Sequence, residues 1–180
     1  MKVLRIFECA NEKLYAAQYD TDERDALVIL QNQWSDPQYL REFFDEFDRD
    51  FRKFYGNVNV NKRILETIDE ADELIGLLFD LCEEGGDLDE IFKPLDNQEK
   101  ETSSYSLQAL KGKGSHRKSY LRIYALRYGS TYIITGGAIK LTATMQERPH
   151  TKTELYKLDL VKRFLKDKNA EGQFVYLDIE

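Results

Sequence analysis

Apolar residues change period along this chain of 180 residues. Residues 3–8 and 13–19 read as short strands around the polar turn Ala10–Asn11–Glu12. Leu27–Leu30 is an apolar patch that fits a strand or a helix. A helix signal follows: Ser35 or Asp36 can cap it, Pro37 fits its first position, and Gly56 stops it. Between them Leu40, Phe43, Phe44, Phe47, Phe51 and Phe54 fall at three- and four-residue steps, which predicts a core-facing stripe. Glu42, Asp45, Asp48, Arg49 and Arg52 form its solvated face. A second helix is predicted over about residues 61–84. There Ile64, Ile68, Ala71, Ile75, Leu78 and Cys82 make the seam of an antiparallel helix pair, and Gly85–Gly86 ends it. Leu88, Ile91, Phe92 and Leu95 predict one further short helix closed by Pro94.

Residues 97–118 are polar and predict a loop. The period then falls to two. In residues 119–128, Leu121, Ile123 and Ala125 alternate with Tyr120, Arg122, Tyr124, Leu126 and Tyr128. Gly129–Ser130 turns the chain, 132–135 returns, Gly136–Gly137 breaks or bulges the pairing, and 138–142 continues. These pieces predict a three-stranded meander. Thr151 and Glu154 fit the capping box of a last helix, with Leu155, Leu158, Val161 and Leu165 on its core face. Residues 173–179 alternate like a final edge strand. The expected class is α+β: a mainly antiparallel sheet packed against an N-terminal helical pair, with a C-terminal helix, in one domain spanning 1–180.

Charge divides this plan. The chain totals −7, but residues 1–100 carry −13 and residues 101–180 carry +6. Residues 111–168 alone carry +10, which keeps a polyanionic partner open despite the acidic total. An acidic helical layer beside a basic sheet could also mask it. The 42% apolar fraction excludes full disorder, and no run of eighteen apolar residues predicts a membrane span. The first residues do not read as a signal peptide, and two separate cysteines read as lone buried thiols, so the expected location is cytoplasmic. CxxC, HExxH, Walker, Rossmann and GxSxG motifs are absent, so no metal and no cofactor are expected.

Three segments, YLRIYALRY, YIITGGAIKLTATMQERPH and TKTELYKLDLVKRFLKD, stand in an order that resembles the RelE/ParE superfamily of toxins from type II toxin–antitoxin pairs, in its HigB-like, phage-derived branch. The resemblance implies a RelE-like fold enlarged by an acidic N-terminal helical region. It implies a metal-independent endoribonuclease cleaving mRNA, usually on the ribosome, with a helix-turn-helix antitoxin as partner. Such cleavage needs a base for the 2′-hydroxyl, cations for the phosphorane and an acid for the leaving oxygen. A non-catalytic nucleic-acid- or partner-binding protein on the same fold is the alternative.

Arg122 is the first candidate, a guanidinium between two tyrosines on a strand face. Lys140 falls on the family's lysine segment. Arg148 and His150 flank the start of the last helix, where anions are favoured, and histidine suits proton transfer near neutrality. Lys111, Lys113, Arg117 and Lys118 are the expected phosphate contacts, and Tyr120 and Tyr124 the expected base-stacking rings. His116 and Tyr176 are weaker candidates.

Overall fold

The computed structural model describes residues 1–96, 107–116 and 118–170, apart from the side chains of 54 and 168–170. Strand β1 (Val3–Ala10) and β2 (Leu14–Tyr19) form the expected hairpin. Its turn places Asn11 and Glu12 at φ of 45° and 54°, a left-handed conformation that asparagine tolerates. The Asn11 amide also donates to the Cys82 carbonyl at 3.1 Å, which ties the hairpin to the helical layer.

Four helices follow. Helix α1 (Ala26–Ser35) resolves the 27–30 patch as helix, capped by Asp25 through the Leu27 and Val28 amides. The helix expected between 35 and 56 is two pieces, α2 (Pro37–Glu46) and α3 (Asp48–Tyr55), bent at Phe47. Asp36 caps α2 with Pro37 at its start, as read from the sequence. The bend has a packing reason. It lets Phe44 of α2 and both Phe51 and Tyr55 of α3 meet one ring, Tyr120, at centroid distances of 5.8, 5.8 and 5.4 Å. Helix α4 (Val60–Glu83) matches its predicted span and buries Ile64, Ala71, Ile75, Leu78 and Cys82.

Residues 88–95 do not form the expected helix. A single 3-10 turn (Leu88–Glu90) leads into β3 (Phe92–Pro94), an edge strand that a proline can close. The polar segment expected as a loop contains β4 (Gln108–Lys113), paired antiparallel with β3. Gly112 makes this possible: a Cβ there would stand 3.1 Å from the Phe92 ring. Strands β5 (Leu121–Tyr128) and β6 (Thr131–Ile139) form a hairpin with a register shift at Tyr124/Ala125. The extra residue is Thr135, so Gly136–Gly137 stands beside a bulge within one strand instead of separating two, and the meander's third member is β4.

The sheet order is β1-β2-β6-β5-β4-β3, and among the described residues only the β2–β6 pair is parallel. The α+β class holds, with a mixed sheet. Helix α5 (Pro149–Ala170) starts two residues before the expected Thr151 cap. The Thr151 hydroxyl donates to the Met145 carbonyl at 2.6 Å, and Glu154 turns inward. The carboxylate return belongs instead to Thr144, whose amide donates to Glu147 Oε1 at 2.7 Å. Consecutive residues on β6 meet helices from both sides: a Cβ on Gly137 would strike Leu30 of α1, and one on Gly136 would strike Glu154 of α5. No helix among the described residues is long and apolar enough to cross a membrane. The predicted strand 173–179, with Tyr176, and Arg117 lie outside the described residues.

Candidate functional site

Register assembles the cations. Lys113 stands opposite Arg122, Arg122 opposite Ala138, and Lys111 opposite Tyr124. The Lys140 amide donates to the Tyr120 carbonyl at 2.7 Å, which continues the row just past β6. Cross-strand partners share a face of the sheet. Lys111, Lys113, Arg122 and Lys140 therefore lie on one face across three neighbouring strands.

Each inner cation is aimed by backbone carbonyls. Arg122 Nη1 donates to the Ser119 and Leu121 carbonyls at 2.9 and 2.7 Å. Lys140 Nζ donates to the Thr142 and Ala143 carbonyls at 2.8 and 2.7 Å, and Lys111 Nζ to the Leu95 carbonyl at 3.0 Å. Among the described residues neither Arg122 nor Lys140 has a carboxylate within ion-pair distance. Burial, then the charge of Arg122, pushes both lysines below the ordinary lysine pKa. Burial lowers that of Arg122 as well, against the pull of Tyr124, Tyr55 and Glu70. Three like charges sit together, half-buried, and disfavour one another.

The other candidates are placed elsewhere. Tyr120 is buried among Phe44, Phe51 and Tyr55, with its hydroxyl 2.7 Å from Thr67 Oγ1. Tyr124 is 1% exposed, and its hydroxyl has no partner among the described residues. Both rings belong to the core here and are closed to a base. Arg148 is held by Asp50 through Nε at 2.6 Å and Nη2 at 2.5 Å, a bidentate clamp joining α3 to the start of α5. Lys113 and Lys118 are exposed. His116 lies over the acidic helix α4, where its amide donates to Glu70 Oε1 at 3.2 Å, and Ser115 donates to Glu73 Oε2 at 2.9 Å. The acidic layer thus anchors the basic loop, and its Glu70 also acts on Arg122.

His150 faces a cleft of about 560 Å³ between α1, α2, the Gly136–Ile139 edge of β6 and the first turns of α5. Its ring packs edge-on against Phe43 and Phe47 at 5.3 and 4.8 Å. Burial lowers its pKa. Sequence reasoning missed two groups. Tyr55, which closes the aromatic stripe, lies within the electrostatic reach of Arg122. Glu154, read as a cap, is a buried acid in the cleft wall. Among the described residues, no three His, Cys, Asp or Glu side chains gather as a metal would require. No protein-family model, curated protein or solved structure matches this chain.

Proposed function

We propose that this chain binds RNA through the Lys111–Arg122–Lys140 face and cleaves it without a metal, as a toxin of the RelE/ParE type. The observation that carries the reading is the gathering of three half-buried cations, two of them, Arg122 and Lys140, with no carboxylate at ion-pair distance among the described residues. Such a cluster is costly in the free protein and is relieved by an anion, and a phosphodiester supplies one at every nucleotide. Arg122 holds the phosphate and its developing charge. Lys111 and Lys140, with depressed pKa values, are the groups able to take the 2′-hydroxyl proton or return one to the leaving oxygen. The helix-turn-helix antitoxin and the ribosome belong to this reading through the resemblance alone, and a cytoplasmic setting through the lone thiols.

One observation favours the non-catalytic alternative. Arg148 is occupied by Asp50 and His150 faces the aromatic cleft, so the cation face contains no histidine among the described residues. The two readings separate in one experiment. The full chain is incubated in EDTA with a labelled mRNA, with and without ribosomes, and the products are mapped. Cleavage leaving 2′,3′-cyclic phosphate ends, lost in Arg122→Ala/Lys140→Ala, is the expected result. Binding without cleavage would move the conclusion to the alternative, and absence of both would overturn the RNA reading.

A further inference from the structure

The cleft beside the sheet carries two buried acceptors that lack a well-formed hydrogen bond among the described residues. His150 Nε2 lies 3.1 Å from the Ile139 carbonyl, so it must carry the proton, and Nδ1 is left as the lone-pair nitrogen. That Nδ1 is buried without a partner. One turn along α5, Glu154 is 4% exposed. Its Oε1 receives Lys157 Nζ at 2.8 Å, whereas Oε2 is buried with no hydrogen-bond partner. Oε2 fits against β6 only because residue 136 is glycine, since a Cβ there would stand 2.0 Å away. The four-residue spacing puts both acceptors on one helix face, about 5–6 Å apart at Cβ. Unpaired buried acceptors are expensive; among the described residues neither atom has a well-formed hydrogen bond, and the donors acting on the Glu154 carboxylate are Lys157 and the Gly137 amide.

The surroundings define what would pair them. Glu42 and Glu46, both exposed on α2, stand at the cleft with Glu154, against the single ammonium of Lys157. With all three carboxylates ionised, the wall carries −2. Trp34, Phe43 and Phe47 supply apolar and aromatic walls. The cleft already holds one cation in this manner: Lys157 Nζ pairs with Glu154 and lies 5.7 Å from the Tyr19 ring centroid. The volume lies within the roughly 300–1,000 Å³ of small-molecule sites. We infer that this cleft is a binding site for a small aromatic amidine or guanidine, whose N–H groups pair with Glu154 and His150. The site shares no residue with the cation face, so it stands or fails independently of the RNA reading.

Trp34, the one tryptophan of the chain, lines the cleft and reports on it. The probe is benzamidine, titrated against the full chain by Trp34 fluorescence, with benzamide as its neutral isostere. A saturable change is expected, with benzamide and Glu154→Gln each weakening affinity at least tenfold. The groups acting on or beside Glu154 are Lys157 from α5, the Gly137 amide from β6, Tyr19 from β2, Tyr39 from α2 and Tyr124 from β5, with His150, Glu42 and Glu46 lining the same cleft. Burial raises the pKa of all three tyrosines, so Glu154, at about 7, governs the neutral range. Affinity should therefore fall several-fold from pH 8 to pH 6. Glu42→Gln/Glu46→Gln, confined to exposed positions, should weaken benzamidine two- to fivefold and gives a readout should Glu154→Gln fail to fold. Absence of a saturable response, equal affinity for benzamide, or unchanged affinity in the carboxylate variants would overturn the assignment.

Discussion

Arg122 and Arg148 lie in the same basic stretch, yet the fold uses them differently. Arg148 is clamped by Asp50 and fastens α5 to α3. Arg122 is oriented by two carbonyls and joined by Lys111 and Lys140, with no carboxylate at ion-pair distance among the described residues. Arg63 and Arg127 follow the first pattern, with Asp48 and Asp89 as partners. A cation matched by an internal carboxylate is explained by folding. On the proposed function, the half-buried Arg122 and Lys140, with no carboxylate at ion-pair distance among the described residues, await an anion from outside.

The sharpest test of the matched class is Arg63, 1% exposed, with its guanidinium 3.7 Å from the Phe51 ring centroid. Arg63→Ala should cost about 3 kcal/mol in a denaturant titration, through lost packing and cation–π contact. Arg63→Met should recover roughly half of that, because it keeps the stem and discards Nε and Nη2, which have no partner.

Glu154 is matched on one oxygen only, and that should appear as a pH effect. Burial raises its pKa from the ordinary 4.5 to about 7. Between these values the folded state holds a proton that the unfolded state has released. Its contribution is therefore full below 4.5 and is lost as pH rises through about 7. The total approaches about 3 kcal/mol by linkage. Thermal midpoints of the wild type against Glu154→Gln across pH 4.5–8 measure it, and the variant should flatten the slope.

The smallest effect on RNA belongs to Arg148. Arg148→Ala should lower the thermal midpoint, because it breaks a partly buried bidentate pair with Asp50, and should leave RNA affinity unchanged. A large loss of RNA binding in this variant would break the division between matched and unmatched arginines.

Much of this arrangement could be read from residue order. The phenylalanine stripe, the Asp36–Pro37 helix start, the long helix and the alternating strand through Arg122 all carry local signals. The break at Phe47 carried none, because three- and four-residue spacing runs through it and the bend serves Tyr120, a distant ring. Strand β3 was hidden by the helix-like spacing of Leu88, Ile91, Phe92 and Leu95, and β4 by the lysines that made its segment look like a polar loop. At the site, Arg122, Lys140 and Lys111 were individually visible, but their grouping depends on strand register. The fate of Arg148 depends on Asp50, 98 residues away, which no local pattern announces.

The central claim is that the Arg122–Lys140 pair binds phosphate. Its most direct test is the salt dependence of single-stranded RNA affinity in the wild type, in Arg122→Ala/Lys140→Ala and in Arg148→Ala. Each lost phosphate contact should reduce the slope of log K against log salt by about 0.7. The account predicts a slope shallower by about 1.4 in the double variant and unchanged in Arg148→Ala. Equal slopes in the wild type and the double variant would contradict it.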